Sequence, residues 1–106
     1  MKILGPVAIM VLFAPFAVAQ DATSAARGRD YANAACSDCH AVSADQRASP
    51  NPRAPSFEAI ANTPGMTGIA LSAWLHTSHP TMPNLIVKAD RTDELAAYIL
   101  TLRKKN

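Results

Sequence analysis

The sequence predicts an all-α fold: two terminal helices that cross, joined by short helices and loops. Three observations predict it. Apolar residues recur at helical spacing toward both ends of the polar part of the chain. No segment alternates apolar and polar in the manner of a half-buried strand, and proline-rich turn segments separate the periodic stretches. At 106 residues the chain has room for one compact domain.

The N-terminal stretch stands apart from that domain. Lys2 precedes an apolar run of twelve residues, Val7 to Val18, broken by Pro15 and closed by Ala17-Val18-Ala19 before polar Gln20-Asp21. A charged start, a short apolar core and a small-x-small site read as a secretory signal peptide cut after Ala19. Residues 1–19 are then removed and residues 20–106 form the mature domain. The run is too short to serve as an uncut anchor, because a helix needs about twenty apolar residues to cross a bilayer. No other segment is long and apolar enough.

The first helix is expected from about Ser24 to Cys36, capped by Thr23 or Ser24. Gly28, Tyr31, Ala32 and Ala35 fall on one face at i, i+3, i+4 and i+7. Ala41 to Pro55 is rich in Ser, Pro, Asn and Arg and reads as a loop. Ser56 can cap a short helix carrying Phe57, Ile60 and Ala61, which stops before Thr63-Pro64-Gly65. A third helix, about Gly68 to Ser78, places Leu71, Trp74 and Leu75 on one side. It ends by His79, because Pro80 disfavours the helical conformation in the residue before it. The last helix, about Thr92 to Lys104, carries Leu95, Tyr98, Ile99 and Leu102. Asp90 or Thr92 caps it, Asp93 and Glu94 sit in its positive first turn, and Arg103-Lys104-Lys105 closes it as a solvated end. A small-residue face on the first helix and a bulky one on the last suggest close crossing near Gly28.

Without Lys2 the mature chain has nine basic and eight acidic side chains, about +1 overall. No basic run is interleaved with aromatics, which argues against a nucleic-acid binder. The apolar side chains make a thin core for a domain this size, and such domains usually need reinforcement.

Cys36-Ser37-Asp38-Cys39-His40 supplies the reinforcement. Two thiols three positions apart can each add across one vinyl group of the same porphyrin, and the adjacent histidine is then held at the iron as an axial ligand. In an oxidising compartment so close a pair would oxidise unless something captured it. One covalent haem c, with its iron, is therefore the expected cofactor, filling the core as well as carrying the chemistry. Two readings without haem are weaker. A zinc site from Cys36, Cys39, His40 and His76 or His79 lacks the usual second ligand pair, and a dithiol redox pair lacks a βαβ context.

The second axial ligand comes from Met66, His76, His79 or Met82. Met82 lies in Pro80-Thr81-Met82-Pro83-Asn84, where flanking prolines fix φ and stiffen the segment that must hold a weak thioether bond. Met66 lies among glycines and suits a packing role, and His79 suits a solvated loop. Met82 is the expected ligand. A soft thioether favours ferrous iron and raises the reduction potential, and a closed site needs no general base or nucleophile. That points to an electron carrier rather than an enzyme. Were Met82 unbound, the same chain would read as an open-site haem redox enzyme subunit or a ligand sensor.

Several elements recur in order through almost the whole mature chain: Gly28 and Tyr31 ahead of Cys36-Ser37-Asp38-Cys39-His40, Ala54-Pro55-Ser56-Phe57, Trp74, Met82-Pro83-Asn84-Leu85, and Leu95, Tyr98, Ile99 and Leu102. With them the sequence resembles a class I c-type cytochrome of the small monohaem bacterial kind. The resemblance implies a cytochrome c-like fold, its terminal helices crossing at one haem edge and the methionine loop on the opposite iron face. It implies thioether attachment at Cys36 and Cys39, with His40 and Met82 on the iron. It also implies a proline carbonyl accepting the His40 Nδ1–H bond; Pro55 is the first choice, with Pro50 and Pro52 competing. Trp74 would donate its indole N–H to a propionate or pack on the macrocycle. The implied function is periplasmic electron transfer. Its partners would be a donor dehydrogenase or reductase and an acceptor oxidase or reductase, after passage through the haem maturation machinery.

Overall fold

Among the described residues of the computed structural model there are four helices: α1 (Phe16–Ala35), α2 (Phe57–Ala61), α3 (Gly68–His76) and α4 (Ala89–Thr101). The structure describes residues 1–6, 8–12, 16–77, 82 and 87–105, with residues 16–21 described by backbone only. Among the described residues there is no β-sheet, and the all-α expectation holds.

The principal contact is between α1 and α4, with α3 and α2 laid against α4. Gly28 is the reason the pair can close. A Cβ there would lie 2.6 Å from the Glu94 carbonyl carbon and 2.8 Å from Tyr98 Cβ, and nearer still to the Glu94 carbonyl oxygen. Beside that crossing Glu94 takes ion pairs from Arg27 at 3.5 Å and Arg91 at 2.9 Å. Ala32 of α1 is fully buried against the pair, and Leu95, Ala96, Tyr98 and Ile99 are the buried face of α4. Phe57, Ala61, Leu71, Val42 and Val87 complete the core. The Tyr98 hydroxyl donates to the Val42 carbonyl at 2.5 Å, tying α4 to the segment that follows the cysteines.

Ser56 and Thr67 accept bonds from Ala59 N and Ala70 N, both at 3.1 Å, and so cap α2 and α3. Other boundaries depart from expectation. The first helix begins at Phe16, not near Ser24, so Thr23 and Ser24 are interior residues. The alanine-rich run through Ala22, Ala25 and Ala26 favours continuing the helix over stopping it. α4 begins at Ala89, about a turn early, with Lys88 at the cap position and no side chain capping it. Thr92 is buried instead, its hydroxyl donating to the Lys88 carbonyl at 3.1 Å. α3 ends at His76; Ser78, His79 and Pro80 lie outside the described residues.

Along α3, Leu71 is 3% exposed and Trp74 59% exposed. One expectation about side chains is corrected. Arg103-Lys104-Lys105 is more than a solvated end. Arg103 donates to the Ala61 carbonyl at 3.3 Å and to the Met66 carbonyl, and Lys104 pairs with Glu58 at 3.3 Å. α4 ends at Thr101, so these groups are free to reach across to α2 and the turn after it.

Candidate functional site

Cys36 follows α1 directly and continues its geometry, donating its N–H to the Ala32 carbonyl at 2.9 Å. The chain then turns: Cys39 N and His40 N both bond to the Cys36 carbonyl, at 3.2 and 2.9 Å. Ser37 steadies this turn by donating its hydroxyl to Asn33 O at 2.6 Å. One helix end thus presents both thiols and the imidazole within a single turn. Both cysteines are free thiols, Cys36 buried and Cys39 exposed. Burial, with Cys39 adding to it, pushes the Cys36 thiol up to about 11. Among the described residues no three His, Cys, Asp or Glu side chains converge as metal donors.

His40 is the best-defined functional side chain. Its Nδ1 lies 2.6 Å from the Pro55 carbonyl oxygen. A carbonyl only accepts, so Nδ1 carries the proton and Nε2 keeps its lone pair. Of the three candidate prolines, Pro55 is the one whose carbonyl meets this nitrogen. The segment leading to it is fastened to the ligand turn on both sides of His40. Asn51 N donates to the Cys39 carbonyl at 3.1 Å, Phe57 N donates to the Ala41 carbonyl at 2.9 Å, and Ala41 N donates to the Ser49 hydroxyl at 3.0 Å. The Phe57 ring lies against the imidazole, centroids 5.3 Å apart and planes tilted by 47°. Neither Ser49 nor the Phe57 ring contact was legible in the sequence. The available signal was the position of Phe57 two residues beyond the proline, at the start of a capped helix.

Met82 is half-buried, but His79, Pro80, Thr81, Pro83, Asn84 and Leu85 around it lie outside the described residues. Met66 packs, partly buried, against the core cluster. His76 is exposed at the end of α3 and Trp74 is exposed on the same helix.

The site suits a porphyrin: two free thiols on one turn for its vinyl groups, and an imidazole in the tautomer that offers Nε2 to the iron. An all-helical fold built around such a turn defines a protein that attaches haem covalently. Over 82 residues the chain is 34% identical to cytochrome c-552 of Bradyrhizobium diazoefficiens, covering 77% of this chain and 78% of that protein. No family model matches, and no solved structure matches. The chain belongs to the class I c-type cytochromes. It is a haem c electron-transfer protein that works with redox partners. Among the described residues no helix is long and apolar enough to cross a membrane.

Proposed function

We propose that this cytochrome is a one-electron shuttle of the bacterial periplasm, holding one haem c through thioether bonds at Cys36 and Cys39, with His40 and Met82 as axial ligands. The observation that carries the reading is the 2.6 Å contact between His40 Nδ1 and the Pro55 carbonyl. It leaves Nε2 as the donor nitrogen and raises the basicity of the ring. Bound haem supplies a single iron(III)/iron(II) couple. Met82 supplies the soft sixth donor that favours the reduced state and closes the iron to small molecules. Trp74 stands at the margin as a propionate donor or a macrocycle contact.

Residues 1–19 act as the export signal and residues 20–106 as the working domain. The exposure of Ile3, Leu4, Ile9, Met10 and Leu12 supports this, as none of them joins the core. The electron donor is a dehydrogenase or reductase and the acceptor an oxidase or reductase, with the haem maturation machinery as a transient partner. With so small a net charge, docking relies on a limited, partly apolar patch. Arg47, Arg53 and Lys88, all exposed, are its rim contacts.

The test is carbon monoxide binding to the reduced holoprotein, native and Met82→Ala. The native protein is expected to stay closed, while the variant binds carbon monoxide and loses its high potential. Rapid binding to the native protein, with no change on substitution, would instead establish the open-site enzyme or sensor.

A further inference from the structure

We infer that Phe57 is a positioning residue for the iron-binding histidine: its ring sets the twist of the His40 imidazole, which the Pro55 hydrogen bond alone leaves free. The inference rests on the reading of His40 as an axial ligand. A single bond from Nδ1 to the Pro55 carbonyl fixes where that nitrogen sits. It leaves the ring able to rock about the line joining the two atoms, because terminal torsions of histidine are broad. Something must press on the face of the ring to define its plane. Phe57 does so, with centroids 5.3 Å apart and the planes inclined at 47°. That separation lies within the range of attractive aromatic pairs, and the tilt is intermediate between stacked and edge-to-face.

Phe57 is well placed to act as a stop because it cannot easily move. Its side chain is 4% exposed and belongs to the core cluster. Its backbone is held to the residue after His40 by the 2.9 Å bond from Phe57 N to Ala41 O. Ser56, immediately before it, accepts from Ala59 N and locks the start of α2. The hydrogen-bond acceptor and the ring stop thus come from residues two apart on one rigid strip, and both close on a single imidazole. An aliphatic residue would fill the same volume but would present no flat surface to define the ring plane.

The plane of an axial imidazole sets which iron d-orbitals carry the unpaired spin in the ferric protein. The haem-methyl proton shifts report the orientations of both axial ligands together, so a change made at Phe57, with Met82 untouched and still bound, reads the twist of the imidazole, and a merely structural role for Phe57 would leave the pattern alone. The experiment compares ferric holoproteins: native, Phe57→Leu, Phe57→Met and Phe57→Tyr. Both aliphatic variants are expected to change the order or spread of the haem-methyl shifts and to move the reduction potential, with His/Met ligation intact in the visible spectrum. Phe57→Tyr, which keeps the ring, is expected to restore the native pattern. Where only one aliphatic variant matures, it carries the result. Maturation of Phe57→Tyr alone also supports the need for a ring. A native shift pattern in either aliphatic variant overturns the inference, as does failure of Phe57→Tyr to restore the pattern or to mature. If the native protein lacks His40 ligation, the proposed function itself fails, and that shows before any variant is compared.

Discussion

Tyr98 shows how much one hydroxyl does for the site. Its ring is buried in α4, and its O–H reaches across to the Val42 carbonyl, two residues beyond His40, at 2.5 Å. Tyr98→Phe removes the donor and leaves a carbonyl without its partner, which costs about 1–3 kcal/mol at neutral pH. Burial raises the Tyr98 pKa above its ordinary value. The folded chain therefore keeps the phenol proton at a pH where the unfolded chain, titrating near 10, has lost it. Native stability is intact below that value and falls as pH rises through and beyond it, a dependence Tyr98→Phe lacks. Denaturant unfolding at pH 7 and again above 10 is expected to show the gap between the two proteins narrowing. At this scale the motif was fully legible, since Cys36, Cys39 and His40 stand at the fixed spacing that covalent haem attachment requires. The choice among Pro50, Pro52 and Pro55 was not. It depends on the turn in which Ala54 N bonds Asn51 O at 3.0 Å and Arg53 N bonds Asn51 Oδ1 at 2.9 Å, a path that residue order does not encode.

Helix faces were readable from periodicity, and so were the Ser56 cap of α2 and the start of α3 at Gly68, but the start of α1 and both ends of α4 were not. Gly28 with Tyr31, Ala32 and Ala35 did mark the contact face of α1, because a small residue opposite bulky ones is a statement about packing. Ends depend on local competition instead: α4 starts at Ala89 because Thr92 is buried with its hydroxyl turned back on Lys88, which no cap preference foretells. The reach of Arg103 to the Ala61 carbonyl was hidden for a similar reason, as the sequence does not say what lies across from a helix end. The readable feature has a sharp consequence. In an open helix Gly→Ala gains close to 1 kcal/mol of helix propensity. At Gly28 the added methyl meets the backbone of Glu94 at under 3 Å, and backbone cannot step aside. Gly28→Ala is therefore expected to destabilise by about 1–3 kcal/mol or more, the usual scale of overpacking. A lower thermal midpoint and a lower yield of matured protein would register this, and an unchanged midpoint would show that the helices part at little cost.

Over the whole molecule the protein side chains make a sparse core. Among the described residues the buried cluster includes Ala32, Ala61 and Ala96, and the largest fully buried side chains are Leu95, Ile99, Val87 and Thr92. A chain of this size must order its backbone at about 1–2 kcal/mol per residue, against little apolar area available for burial. Cys36, itself part of that cluster at 6% exposure, places an attached porphyrin against the same core that α1 and α4 share. Covalent attachment then keeps a large apolar body in the fold at all times, with no dissociation equilibrium to weaken it, unlike a ligand whose stabilisation depends on its free concentration. The proposed attachment would make folding and cofactor attachment one event for this chain. The Cys36→Ala/Cys39→Ala variant, expressed in the same way and isolated without bound haem, is expected to lose most of its helical circular dichroism and to be degraded rapidly. A haem-free variant that retained native helicity and unfolded cooperatively would mean that Gly28, the α1–α4 crossing and the Arg103 contacts suffice by themselves, and that the porphyrin is cargo rather than core.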